Sequence, residues 1–185
     1  MRVIAGTARS LPLKCIEGNA TRPTTDRIKE TLFNILNPDL PGCRFLDLFA
    51  GSGAIGIEAL SRGAEYAAFA DSGRAACECI EENLRFTHLA DRARVFFMDA
   101  VGALKVMEGD APFDFIFLDP PYGRGLERDV LEFLQDSSLA DEYTVVILEA
   151  ALKEDVSWVE QYGFEIKREK KYKTNKHVFM ELKAF

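Results

Sequence analysis

Asp119-Pro120-Pro121-Tyr122 closes an apolar run, Phe115 to Leu118, and these residue types in this order suit one kind of chemistry. Two consecutive prolines fix the backbone and supply no amide N–H. The Asp119 carboxylate and the Pro120 carbonyl then form an acceptor pair with a set direction, beside the aromatic face of Tyr122. A planar exocyclic amine requires that set: the acceptors hold its two N–H groups, its weak lone pair faces an electrophile, and its ring stacks on Tyr122. Asp119, Pro120 and Tyr122 are the expected catalytic residues, with Pro121 in the substrate site. Alone, a Pro-Pro pair after a strand is an ordinary turn; a second motif gives it weight.

That motif is Asp47-Leu48-Phe49-Ala50-Gly51-Ser52-Gly53-Ala54-Ile55-Gly56, a GxGxxG pattern directly after a strand-like run and opening a helix. Gly51 is expected to permit a tight turn, Gly53 to let the backbone approach a ligand, and Gly56 to let helix pack on strand. Asp71 follows 20 residues after Gly51, where a carboxylate can accept both hydroxyl protons of a ribose. The pattern indicates a nucleoside-containing cofactor. Dinucleotides share it and place pyrophosphate at the helix start. A carboxylate at Asp47 repels pyrophosphate but suits the ammonium of S-adenosylmethionine. Asp99, before a helix beginning at Ala100, is placed to accept from an adenine amine, to cap the helix, or to do both. The expected cofactor residues are Asp47, Phe49, Ala50, Gly51, Gly53, Asp71, Ser72, Asp99 and Ala100.

These residues must be positioned by strands and helices. Apolar strand runs lie at about 44–49, 66–71, 93–98, 113–118, 143–149, 163–169 and 177–182, and helical periodicity at about 54–62, 73–85, 100–107, 125–135 and 153–160. Strict alternation with short connections predicts an α/β, doubly wound, Rossmann-like domain with a mostly parallel seven-stranded sheet. The last two strands have only the turn at 170–176 between them and are expected to form an antiparallel hairpin. Before this body, residues 2–5 and 12–16 read as a small N-terminal β-hairpin extension, and Thr24-Thr25-Asp26 opens a helix that stops at Asn37-Pro38. The expected division is 1–22 for the extension and 23–185 for the domain.

The 185 residues, 48% hydrophobic and 29% charged, suffice for one full-sized domain and exclude a disordered tail or a disulfide miniprotein. No apolar run approaches the about 20 residues of a membrane span, and no secretory signal precedes Gly6, so a cytoplasmic location without membrane association is expected. Cys15, Cys43, Cys77 and Cys79 with His88 and His177 form no zinc pattern; no metal is expected, and the cysteines take no catalytic part. The net charge of -7 is unevenly spread: residues 1–29 carry six Lys/Arg against two acids, residues 163–183 seven against three, and the segment between them ten against 25. Basic ends on one face can attract a polyanion within a screening length; two unrelated solvated clusters are the alternative.

The sequence resembles the S-adenosylmethionine-dependent amino-methyltransferases with the (Asp/Asn)-Pro-Pro-(Tyr/Phe/Trp) signature. Arg22-Pro23-Thr24-Thr25-Asp26-Arg27, Glu30-Thr31-Leu32-Phe33-Asn34, Asp47 to Gly56, Glu58 to Ala64 and Asp119 to Tyr122 resemble in particular the bacterial 16S rRNA guanine-N2 methyltransferase family. The resemblance implies methylation of a guanine exocyclic amine in small-subunit rRNA, free or within a 30S assembly intermediate holding ribosomal proteins, by a monomer. Arg22 and Arg27 are then expected either to bind substrate phosphate or to line the cofactor and guanine pocket. The early hairpin has only Arg9 and Lys14 where the family is richer in basic residues, so Lys170, Lys171 and Lys173, with Lys167, Arg168 and Lys176 nearby, are the expected phosphate contacts, a solvated hairpin being the alternative. Glu149, ending the fifth core strand, is a further pocket candidate. The rival readings are the same chemistry on DNA adenine or cytosine or on protein glutamine, a nicotinamide-dependent oxidoreductase, and a non-catalytic nucleic-acid-binding module.

Overall fold

The computed structural model of the chain describes residues 1–17 and 25–184. Thr25 starts the first helix, α1 (Asp26–Leu36): its Oγ1 accepts the Ile28 N–H at 3.2 Å, and Asp26 adds a carboxylate to the first turn. Leu32, Phe33 and Leu36 are buried at helical spacing, and a 3₁₀ turn containing Pro38 ends the helix.

The main body alternates β1 (Arg44–Leu48), α2 (Ala54–Ser61), β2 (Tyr66–Asp71), α3 (Arg74–Phe86), β3 (Ala93–Phe97), α4 (Ala100–Met107), β4 (Phe115–Leu118), α5 (Leu126–Leu134), β5 (Val145–Ala151), β6 (Phe164–Lys171) and β7 (Asn175–Leu182). The sheet order is β3-β2-β1-β4-β5-β7-β6. Strands β1 to β5 pair in parallel, and β7 runs antiparallel between β5 and β6. One face packs α1, α2 and α3 against Phe45, Phe69, Phe117 and Phe179; the other packs α4 and α5 against Leu46, Ile116, Val146 and Leu148. Because the chain winds outward from β1 to β3 and then returns to place β4 beside β1, the carboxyl ends of β1 and β4 flank a crevice. Open sheets of this kind bind ligands there.

Two elements differ from the sequence expectation. The helix expected at 153–160 is a 3₁₀ segment, Ser157–Tyr162, that buries Trp158 and Val159. Six residues are too few for an amphipathic α-helix, and left-handed Gly163 stops it at once. The N-terminal pairing is a single antiparallel bridge, Arg2 to Pro12, with backbone hydrogen bonds from Val3 to Leu11, from Ser10 to Val3 and from Leu13 to Met1.

That segment is locked to α1 and α2 by polar contacts. Glu58, completely buried, accepts from the Ile4 and Ala5 amides at 2.8 and 3.2 Å, pairs with Lys29 Nζ at 3.2 Å and with Arg62 Nε at 3.1 Å. Lys29 Nζ also donates to the Arg2 carbonyl. Ser61 Oγ donates to the Ala5 carbonyl and accepts from the Ala8 amide. Gly6 has φ +86°, and a Cβ there would lie 1.8 Å from the Ser61 carbonyl oxygen, so only glycine fits this contact.

Candidate active site

Each of the five parallel strands carries one acid at its carboxyl end: Asp47 on β1, Asp71 closing β2, Asp99 after β3, Asp119 after β4 and Glu149 on β5. Four of them accept protein donors. Asp47 Oδ2 takes the Gly56 amide at 3.0 Å. Asp71 Oδ2 takes Gly51 N at 2.9 Å while Oδ1 takes Gly73 N at 2.8 Å, so it braces the glycine loop from across the sheet. Asp99 caps α4 by accepting from Gly102 N at 2.7 Å, the helix-capping role foreseen for it. Glu149 accepts from Asn175 Nδ2 at 2.8 Å and faces His177 Nε2 at 3.4 Å; His177 Nδ1 lies 3.1 Å from the Tyr172 hydroxyl.

Asp119 differs. Its carboxylate makes no hydrogen bond or ion pair among the described residues. The residue is half-buried, yet its carboxyl lies deep enough that burial, aided by the charge of Glu149, pushes its pKa up to about 8. Burial likewise raises Asp47 well above the usual carboxylate range, against the Gly56 hydrogen bond and with Asp119 and Asp71 adding repulsion. None of the ion pairs among the described residues includes Asp47, Asp71 or Asp119. An acidic crevice without a protein cation favours a cationic ligand.

The glycine loop divides its labour differently from the expectation. Gly56 must be glycine because a Cβ would meet the Phe69 ring at 2.4 Å, as expected of a helix packed tightly on β2. Gly51 and Gly53 are both left-handed, with φ +58° and +81°. A Cβ at Gly53 would touch Ile80 at 3.2 Å, whereas one at Gly51 would meet nothing within 4 Å. Gly51 therefore supplies the open backbone, and Gly53 packs against α3. Phe49 also has φ +60°, a costly conformation for an aromatic residue and one that turns the chain sharply off β1. Ala50, half-buried, ties the loop to β2 through its amide and the Ala70 carbonyl at 2.9 Å. Ser72 is exposed beside Asp71, and Ala100 is buried as the first residue of α4.

At β4, Pro120 is buried, while Pro121 and Tyr122 are exposed. They form one wall of a cleft completed by Gly123 and Glu127 of the following loop and helix and by Leu148, Glu149, Ala150 and Glu154 of the β5 side. The β6–β7 turn lies at the same sheet edge, since Ala151 pairs with Asn175 and Lys171 with Lys176. Lys171 and Lys173 are exposed there and Lys170 is half-buried. Lys176, by contrast, is buried, donating to the Glu154 carbonyl and pairing with Glu169, and Lys167 pairs with Glu165. Both ammonium groups are paired with protein carboxylates, Lys176 in the interior and Lys167 at the surface. Lys14 is likewise paired, with Glu82. Arg27 is exposed on α1 and is not part of the cleft wall; Arg22 lies outside the described residues.

Sequence reading missed Asn83, Asn175, His177 and Glu127. Asn83 Nδ2 donates to the carbonyls of Ser52 and Lys14, and its Oδ1 accepts the Lys14 amide, so it joins the glycine loop to the N-terminal segment. Its signal was present: a polar residue on the apolar stripe Ala76, Cys77, Ile80, Leu84. The buried thiols are held neutral, with burial pushing Cys43 up to about 12 and Cys77 to about 11. Among the described residues no cluster of His, Cys, Asp and Glu could hold a metal ion, and no helix is long and apolar enough to cross a membrane.

A five-strand parallel run with an antiparallel terminal pair, a glycine loop at the end of β1 and an acceptor motif at the end of β4 define a Rossmann-like methyltransferase fold. A putative methyltransferase of Escherichia coli, yhhF, superposes with a TM-score of 0.82 over 100% of this chain and 99% of that one, at 33% identity. The chain belongs to the family described as conserved hypothetical protein 95, whose model matches residues 1–181. It is 41% identical over 150 residues to the putative rRNA methyltransferase YlbH of Bacillus subtilis, covering 80% of this chain and 82% of that one. It is 40% identical over 148 residues to the ribosomal RNA small subunit methyltransferase D of Escherichia coli, covering 80% and 73%.

Proposed function

We propose that this protein methylates the exocyclic N2 amine of a guanine in small-subunit (16S) ribosomal RNA, with S-adenosylmethionine as methyl donor. The observation that carries the reading is Asp119: a deeply placed carboxyl without a hydrogen-bond or ion-pair partner among the described residues, next to a rigid carbonyl and an exposed aromatic ring. The relatives supply the RNA class.

S-adenosylmethionine, when bound, supplies an electrophilic methyl group on a cationic sulfur. The acidic crevice of Asp47, Asp71 and Asp119 suits its positive charges, and Gly51 leaves backbone open for close approach. Asp47 and the loop from Phe49 to Gly53 hold the amino-acid end, Asp71 with Ser72 the ribose, and Asp99 with Ala100 the adenine. The Asp99 oxygen not used in capping remains for that contact. Asp119 and the Pro120 carbonyl orient the guanine amine, and Asp119 accepts its proton as positive charge develops on nitrogen. Tyr122 stacks on the base once it leaves its helical neighbours, and Pro121 borders it. Lys170, Lys171 and Lys173 hold RNA phosphates from the same sheet edge, and Arg22 and Arg27 add phosphate contacts or line the cofactor and guanine pocket. No covalent intermediate and no metal enter. The protein acts as a cytoplasmic monomer on 16S rRNA, free or within an assembling small subunit.

The test is methyl transfer from labelled S-adenosylmethionine to small-subunit rRNA, naked and within 30S particles, and to DNA and peptide. N2-methylguanine in rRNA is the expected product, lost with Asp119→Ala. Label confined to DNA or peptide, or RNA binding without any turnover, overturns the reading.

A further inference from the structure

We propose that Glu149 is a positioning residue for the methyl transfer: held by β7 without being neutralised, it turns its negative charge on Asp119 and so makes Asp119 the group that takes the amine proton; this rests on the function proposed above. Asp119 and Glu149 directly follow the paired residues Leu118 and Leu148 on neighbouring parallel strands, and Glu149 pairs with His177 across β5 and β7. Phe117 and Ile147, two positions earlier, lie on the face that packs α1, α2 and α3, so Asp119, Glu149 and His177 form a row on that face. The Phe117 and His177 rings meet edge-on with centroids 5.7 Å apart. His177 is fully buried and Glu149 nearly so.

The donors that hold Glu149 are neutral. Asn175 Nδ2 donates to one oxygen at 2.8 Å, and His177 Nε2 lies 3.4 Å from the other. Burial, with the Glu149 charge adding to it, pushes the Tyr172 phenol up to about 12, so the phenol keeps its proton and donates it to His177 Nδ1 at 3.1 Å. A ring that accepts at Nδ1 is neutral and carries its hydrogen on Nε2, facing Glu149. The carboxylate is fixed in place and keeps its charge, since no Lys or Arg pairs with it among the described residues. The groups around the row do not cancel it. Asp47 on β1 is itself acidic, Lys170 stands one strand further out, opposite His177, and Arg168 acts on Tyr172. Lys29 and Arg62, from the helices covering this face, are both committed to Glu58. In the transfer, the amine lone pair forms the new N–C bond, the C–S electron pair stays on sulfur, and an N–H bond breaks with its proton going to Asp119. The positive sulfur that favours an ionised Asp119 becomes neutral as the methyl leaves. The Glu149 charge then favours protonated Asp119, the direction in which the proton has to move.

The test is NMR titration of the Asp119 carboxyl carbon in the ligand-free protein, together with the pH profile of kcat/KM for rRNA methylation. The wild-type midpoint should lie near about 8, where burial and the Glu149 charge push it. Glu149→Gln should lower it by about 1 pH unit or more, move the acid limb of the kcat/KM profile down with it, and slow the reaction at high pH by a few-fold, because Asp119 becomes a weaker base. Glu149→Asp, which keeps the charge, should stay near the wild-type midpoint. Should Glu149→Gln not fold, Asn175→Lys sets a cation against the same carboxylate and should lower the midpoint likewise. An Asp119 midpoint unmoved by these variants, with wild-type methylation intact, overturns this inference alone. A lower melting temperature with an unmoved midpoint marks Glu149 as a structural residue and also overturns it. Absence of rRNA methylation by the wild-type protein removes the functional reading beneath it, and this inference with it.

Discussion

The molecule buries carboxylates in two places and treats them oppositely. Glu58, between the N-terminal segment and helices α1 and α2, is surrounded by two cations and two amides. Asp119 and Asp47, at the carboxyl edge of the sheet, have no cation among the described residues, and Asp119 has no partner there at all. A saturated buried charge holds segments together. An unsaturated one costs stability in the free protein and is retained where a ligand completes it.

The largest effect that tests this contrast is at Glu58. Glu58→Ala strands the buried ammonium of Lys29, whose pKa burial already lowers against the pull of Glu58. It should cost about 3–5 kcal/mol in urea unfolding, and a Glu58→Gln, Lys29→Met pair should recover much of that loss. A cost below about 1 kcal/mol would erase the distinction between the two clusters.

Next in size, Asp119→Asn should lower methyl transfer by about 100-fold or more while leaving the melting temperature equal or higher, because Asp119 makes no hydrogen bond or ion pair among the described residues for the substitution to break. A clear drop in melting temperature would place Asp119 in the Glu58 class.

The pH dependence is a smaller, signed effect. A carboxyl whose folded-state pKa lies above its unfolded value contributes stability below the unfolded value and loses it as pH rises through the folded one. Asp119 and Asp47, both raised, should therefore make the ligand-free protein less stable as pH climbs from the ordinary carboxylate range toward about 8, the value at Asp119. Over the same window the affinity for S-adenosylmethionine should rise relative to S-adenosylhomocysteine, whose sulfur is uncharged. Calorimetric titration checks this, and a pH-independent ratio would separate Asp119 from the sulfonium.

Smallest of all, Arg2→Ala removes an exposed ion pair with Asp26 at 3.5 Å and should change unfolding by less than about 1 kcal/mol.

The parts of this arrangement that follow a period or a fixed spacing are legible in the sequence. Strand β2 and helix α4 appear where apolar periodicity puts them, and the Asp47-to-Gly56 pattern sits on the strand, turn and helix it needs. The Gly56 packing role followed because closeness to the neighbouring strand belongs to the pattern itself. The assignment between Gly51 and Gly53 did not, because it depends on Ile80, which reaches the loop from another helix. Contacts set by tertiary approach are invisible in the same way. Glu58 reads as one acid in a helix and His177 as one residue of a strand; only the fold shows that the first is saturated and the second backs Glu149.

Asn83 has a consequence for how the chain is made. Residues 3–14 dock through Glu58, Ser61 and Asn83, all far downstream. During synthesis residues 4–8 can dock once α2 is made, but Lys14 has no side-chain amide to receive it until α3 has left the ribosome. Once attached, the same amide grips Ser52 as well, so the glycine loop and the leading segment are fastened by one late-arriving side chain.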